Sequence, residues 1–359
     1  MTLSARSLRL ALLGATLAAL PAMATAAPAK RWTTPRNAWG QPELSGEWSN
    51  VSMTPESRRK DVSGLIYTPE QARKIESDAD QYAADAGKNV DPSVGAFAKG
   101  GVKEPSNTRP EFVAASGGTG GYDYGWLDPG TRIGRVNGEP RTSILTTPDG
   151  QAPKAKVAAG VPAEYAHYKD RSDNPEWMSM GDRCLMSFGR NAGPPMLPNG
   201  FYNNDYRIVQ TADEVAIEVE MVHDVRHIRL NGAHRTDGIR PLMGDSIGRY
   251  EGDTLVVETT NIPESQQYKG SWKTLTVTER FTPVGPGRLL YRFTIHDPAL
   301  WDADWGGEYE FHPLKGRIYE YACHEGNYAL EHMLAGARAE EKRVATEGAS
   351  GVKGAGGAD

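Results

Sequence analysis

The chain has 359 residues and is poor in cysteine, in net positive charge and in long apolar runs. A formal charge of −6 offers no basic footprint for a phosphate backbone, so nucleic acid is not an expected partner. Beyond residue 27 no stretch approaches the roughly 20 apolar residues that a membrane-spanning helix needs. Gly and Pro, at 40 and 24 residues, exceed the ordinary level without reaching that of collagen-like or wholly disordered chains. The composition describes a loop-rich globular protein with length enough for one large or two ordinary domains.

What is present begins at the N-terminus. Arg6 and Arg9 precede the apolar run Leu10 to Leu20, and Ala24-Thr25-Ala26 follows as a small-x-small site. This is the pattern of a secretory signal peptide over residues 1–26, with neither a twin-arginine pair nor a lipoprotein cysteine. Its removal would take the formal charge from −6 to −8, because only Arg6 and Arg9 are charged in it. A periplasmic or secreted protein is therefore expected. In an oxidising compartment Cys184 and Cys323 are expected to form a bridge. The rival is a nucleophilic Cys323 served by His324, but sequence neighbours on a strand point to opposite faces.

Residues 27–167 are rich in Gly, Pro, Asn, Ser and Thr and suggest a long segment wrapped around a core. Within them Thr68-Pro69-Glu70-Gln71 predicts a capped helix running to about Ala83. The glycine run Gly117 to Gly121 is not a dinucleotide fingerprint, since no strand precedes it and no helix follows. Residues 168–343 hold the regular patterning. Tyr206–Gln210, Glu214–Val222, Val225–Leu230, Ser246–Tyr250, Thr254–Thr260, Thr274–Phe281, Leu289–Asp297 and Arg317–Cys323 alternate or are rich in β-branched and aromatic residues. Glu251-Gly252-Asp253 and Pro286-Gly287 supply turn chemistry. The fold class expected is mainly β: an antiparallel meander that removes its edges by closing into a barrel. A helix over Asn327–Arg343 should pack on it through Leu330, Met333, Leu334 and Ala337. Residues 344–359 are expected to be a disordered tail.

Gly46-Glu47-Trp48 resembles the G-x-W of lipocalin-like, calycin-type barrels, where the Trp plugs one end. Longer motifs carry a second resemblance. Gly40-Gln41-Pro42-Glu43-Leu44-Ser45-Gly46, Arg183-Cys184-Leu185, Met243-Gly244-Asp245-Ser246-Ile247-Gly248, Glu251 to Thr259 and Tyr319 to Tyr328 are similar to a large group of exported, mostly uncharacterised bacterial proteins, as are Arg141-Thr142-Ser143 and Pro148-Asp149-Gly150. That resemblance implies a periplasmic β-rich protein and assigns no catalytic role to any position.

The residues themselves supply the candidates. Glu220, His223, Arg226 and His227 crowd one stretch, with Arg229 and His234 close behind, and His324-Glu325 follows the second cysteine. On an extended strand His223, Val225, His227 and Arg229 would share a face and Asp224 and Arg226 the other, unless a bulge resets the count. A histidine in a barrel cavity suits proton transfer near neutral pH. Glu220, His223, Arg226, His227, His324 and Glu325 are the catalytic candidates. Tyr122, Tyr124, Trp126, Arg229, Trp301 and Trp305 are the candidates for ligand contact, the aromatics as a lid over the barrel mouth. No cofactor is expected. A zinc or iron site from His223, His227 and His234 is the alternative, but two of these residues four apart on a strand stand about 13–14 Å apart. Gly244-Asp245-Ser246-Ile247-Gly248 fits a nucleophile pattern whose strand-to-helix context is missing.

Three function classes remain: a cofactor-independent acid–base enzyme (lyase, isomerase or hydrolase) acting on a hydrophobic or aromatic small molecule, a carrier or sensor of such a molecule, and an envelope structural protein. The first requires His223 to meet Glu220, Arg226 or His324 around a cavity. The second requires an enclosed apolar space with few polar groups. The third requires a filled barrel with an exposed apolar patch.

Overall fold

Alternating apolar and polar residues in the second half of the chain become a closed sheet in the computed structural model of the protein, which describes residues 32–86, 128, 130–156, 174–187, 189–199 and 202–353. From Thr34 onward the chain forms one compact unit. The strands of the barrel are β1 (Gly46–Ser49), β4 (Asp205–Gln210), β5 (Glu214–Val219), β6 (Val225–Leu230), β7 (Asp245–Glu251), β8 (Thr254–Thr260), β9 (Thr276–Gly285), β10 (Arg288–His296) and β11 (Trp305–Pro313). They close in the order β1-β11-β10-β9-β8-β7-β6-β5-β4, so that β1 pairs with both β11 and β4. The remaining two, β2 (Arg135–Val136) and β3 (Glu139–Pro140), make a separate small hairpin.

The expected barrel is present, with two corrections to its topology. The pairing is antiparallel except at one seam, where β6 and β7 run parallel through Ile228–Leu230 and Ser246–Gly248. Residues 231–244 return the chain from the lower end of the barrel, where β6 stops, to the upper end, where β7 starts. The segment Arg317–Cys323 is not a strand, although it alternates; β11 is the last one. The reason is closure: with β1 between β11 and β4 no edge is left to pair with, and Tyr319 stays 72% exposed.

The inner face is built by the period of two. Val215, Ile217 and Val219, Leu255 and Val257, Val277 and Phe281, Leu289, Phe293 and Ile295, and Phe311 are all buried in one core cluster. Fully burying a side chain of this size is worth about 1.5–3 kcal/mol, so these residues dominate the stability. The segment ahead of β4 contributes Ile144 and Leu145 to the same cluster. It lies on β11, where Leu145 bridges Gly307. A Cβ on Gly307 would stand 2.6 Å from the Ile144 carbonyl oxygen, so only glycine admits the segment so closely.

Helix α1 (Pro69–Ala86) has the expected capping box, made reciprocally: the Gln71 amide donates to Thr68 Oγ1 at 3.2 Å and the Thr68 amide to Gln71 Oε1 at 2.9 Å. Helix α2 (Ala329–Lys353) starts where the Asn327 side chain accepts from the Ala329 amide at 3.0 Å. It differs from expectation twice. It continues ten residues past Arg343, through part of the segment expected to be disordered. Its stripe is only half-buried at Leu330, Leu334 and Ala337 and exposed at Met333, and none of these residues joins the core cluster.

Candidate binding site at the polar end of the barrel

Both ends of the barrel are closed by the chain itself. At the lower end are the β4–β5, β7–β8 and β9–β10 turns and the start of β1. Trp48 packs on the core there, its Nε1 donating to the Leu44 carbonyl at 2.9 Å. Beside it Gln210 Oε1 accepts from the Leu44 and Ser45 amides, at 2.6 and 3.0 Å. Its Nε2 donates to the Pro42 carbonyl at 3.0 Å and to Tyr250 Oη at 2.7 Å.

The upper end is closed differently. Residues 190–197 form a strap whose Met196 is fully buried and packed into the barrel core. Gly193 allows its turn: at φ +70° a Cβ would stand 2.7 Å from the Met196 nitrogen. Arg190 anchors it from one side, donating to the Gln266 and Gln267 carbonyls at 3.1 and 3.2 Å, with its guanidinium 5.0 Å from the centre of the Tyr268 ring.

Beneath the strap the apolar inner face gives way to polar residues. Arg226 on β6 and Glu279 on β9, 2% and 0% exposed, pair across the lumen at 2.7 and 3.2 Å. Tyr291 donates to Glu279 Oε1 at 2.8 Å and accepts from the Met196 amide at 2.8 Å. Tyr309 donates to the Met196 carbonyl at 3.1 Å, and Tyr206 to the Asn191 carbonyl at 3.2 Å. Asn50 joins the last two, its Nδ2 donating to Tyr206 Oη at 3.0 Å and Tyr309 Oη at 3.2 Å. Burial raises the pKa of Tyr291, Tyr309 and Tyr206, and in Tyr291 the Glu279 charge adds to it. All three stay neutral hydroxyl donors at physiological pH.

This network is incomplete. Asn50 Oδ1, Asn191 Oδ1 and Arg226 Nε are buried without a hydrogen-bond partner. A buried polar atom left unpaired costs about 1–3 kcal/mol. A carboxylate group adjoins the same end: Asp205 is pushed up to about 6 by burial, with the Glu220 and Asp128 charges adding to it.

The candidates from sequence are dispersed by this fold. The strand expected over Glu214–Val222 stops at Val219, and a helical turn at Met221–His223, with Val222 and His223 at positive φ, replaces it. His223 is consequently exposed, while Glu220 is buried and accepts from the Tyr319 amide at 2.9 Å. His227 faces solvent beside Glu214, and Arg229 is paired with Asp245 at 2.6 Å. His234 bridges Asp245 at 2.9 Å and Glu258 at 3.1 Å. Among the described residues no group of three or more His, Cys, Asp or Glu is placed to hold a metal ion. Only Arg226 of the catalytic candidates enters the lumen.

Cys184 and Cys323 are bridged, with Cα atoms 5.8 Å apart. His324 and Glu325 beside the bridge are exposed, and Glu325 lines an open pocket of about 900 Å³ with Tyr202, Tyr321 and Met333. Trp301 and Trp305 are not a lid: they are 4% and 5% exposed, edge-to-face at 5.1 Å, with Trp305 stacked on Tyr268. Their apolar area is simply worth more inside. Ser246 is buried on β7 against Thr259 Oγ1 at 2.8 Å, in strand geometry rather than a nucleophile elbow. Tyr122, Tyr124 and Trp126 lie outside the described residues.

Sequence reasoning missed Glu279, Tyr291, Tyr309, Tyr206, Asn50 and Asn191. Glu279 had a signal, since it takes the inward place between Val277 and Phe281. A charge on the apolar face of an alternating strand points to a buried polar site. The tyrosines had none, because inward aromatics are ordinary core.

The chain matches no protein-family model and no curated protein. A solved structure of a point mutant of the fluorescent protein UnaG aligns with 38% of this chain and 86% of its own, at 14% identity and a TM-score of 0.23.

Proposed function

We propose that this protein is an exported binding protein that encloses a small hydrophobic or aromatic molecule at the upper end of its barrel, beneath the strap. The observation that carries this reading is the set of buried polar atoms without partners, Asn50 Oδ1, Asn191 Oδ1 and Arg226 Nε, beside a buried ion pair. A plug that served stability alone would do better with apolar side chains, because replacing a buried ion pair by hydrophobic residues is often neutral or stabilising. The aromatic rings of Tyr291, Phe293, Tyr309 and Phe311, with centroids 4.9–6.0 Å apart, supply the apolar wall that such a molecule needs. Export is supported by the Cys184–Cys323 bridge and by the N-terminal pattern.

Binding without turnover is the better-supported form, since the acid–base set centred on His223 is not assembled. A catalytic form would rest on Glu279 instead, held between Arg226 and Tyr291. Native mass spectrometry of the gently purified chain tests the proposal. Wild type should retain a non-covalent small molecule, and Arg226→Met/Glu279→Gln should not. Retention by both proteins alike, or by neither, would refute it.

A further inference from the structure

The first part of the connection between β6 and β7 lies almost wholly in solvent. From Asn231 to Ile239 every residue but His234 is exposed, and Ile239, the one large apolar side chain of this stretch, is 53% exposed. Polar contacts, not burial of apolar surface, hold these residues to the barrel wall. The Asn231 amide donates to the Gly248 carbonyl at 2.7 Å, and Arg229 on β6 donates to the Ala233 carbonyl at 3.1 Å. The Arg235 amide donates to Asp245 Oδ2 at 2.8 Å, and Asn261 Nδ2 to the Arg235 carbonyl at 3.3 Å. At their centre His234 spans two strands, with Nδ1 2.9 Å from Asp245 Oδ2 on β7 and Nε2 3.1 Å from Glu258 Oε1 on β8.

Only one form of the ring can make that bridge. An ionised carboxylate accepts and does not donate, and a neutral imidazole carries a single N–H. Donating to both strands takes the imidazolium. Asp245 is an acceptor throughout, since Oδ1 also accepts from Arg229 at 2.6 Å and Oδ2 from the Arg235 amide. The other charges around the ring are committed to neighbours: Arg235 to Asp237, and His227 on β6 to Glu214. We infer that residues 232–239 are a pH-sensitive flap, latched to β7 and β8 while His234 carries both ring protons and freed from one of the two strands when it loses one. Imidazoles titrate near neutral pH. The latch is therefore present on the acid side of that range and is lost as pH rises through it. Arg235 lines a pocket of about 370 Å³ together with Arg229 and Asp245, so release of the flap opens one wall of that pocket. The device is independent of the strap and of any molecule beneath it.

Nitrogen-15 NMR of the full chain at pH 5.5 and pH 8.5 tests the inference through the His234 ring shifts and the exchange protection of the Arg235 amide, corrected for the intrinsic effect of pH. Wild type should show a doubly protonated ring and a protected amide at pH 5.5, with a neutral ring and protection at least fivefold lower at pH 8.5. His234→Gln should give the low protection at both pH values, while His227→Gln should keep the wild-type response. A neutral His234 ring at pH 5.5, or equal Arg235 protection in wild type at both pH values, overturns the inference. So does a wild-type response in His234→Gln, or its loss in His227→Gln.

Discussion

The two ends of the barrel solve one problem with different materials. At the lower end Gln210 spends its donors and acceptor on Leu44, Ser45, Pro42 and Tyr250, and every group involved is neutral. At the upper end an ion pair, three tyrosines and two asparagines surround the strap, and three of their polar atoms remain unpaired. Deeper burial with poorer satisfaction separates a site held ready for something else from a structural seal. The upper end is also the one with a covalent tether, since Cys184 stands just ahead of the strap and joins it to the segment after β11.

Breaking that tether should have the largest effect. Cys184→Ser/Cys323→Ser releases a loop with a separation of 139 residues, and the chain-entropy account sets the loss at up to about 4–5 kcal/mol in urea unfolding. Glu279→Leu comes next. It strands Arg226 without a counter-charge and should cost about 3–5 kcal/mol by the same measurement. At the lower end Gln210→Leu leaves the Leu44 and Ser45 amides without their acceptor, a loss of about 2–3 kcal/mol with no effect on any retained molecule. Retention lost in Gln210→Leu would erase the functional difference between the ends.

The smallest effect sharpens the comparison through pH. Asp205 is pushed up to about 6 from an ordinary 3.8, so the fold favours its neutral form. Its contribution is fully present below pH 4 and is lost as pH rises through about 6. Asp205→Asn should therefore gain about 1–2 kcal/mol at pH 7, after discounting for partial exposure, and nothing at pH 3.5. Unfolding midpoints at the two pH values check this, and an equal gain at both would assign the effect to something other than charge.

The barrel was legible because its signals are local: alternation along β4 to β10, glycine turns at Gly252 and Gly287, and one tryptophan just before the last residue of the first strand. The β6–β7 seam was not, because parallel and antiparallel neighbours share the same period and only the crossing segment decides between them. His223 was misplaced by one helical turn after Val219, which no pattern announced. The disulfide followed from counting, while the site that replaces the histidine cluster needed the third dimension: Arg226 and Glu279 are 53 residues apart and meet across the lumen.

The central claim is that the ion pair at the upper end is not there for stability. Urea unfolding of Arg226→Met/Glu279→Gln beside Glu279→Leu measures it directly, since Gln keeps an acceptor for Tyr291 while both charges are gone. The account predicts a double variant within about 1–2 kcal/mol of wild type. A double variant as unstable as the single one would make the pair a structural staple and contradict it.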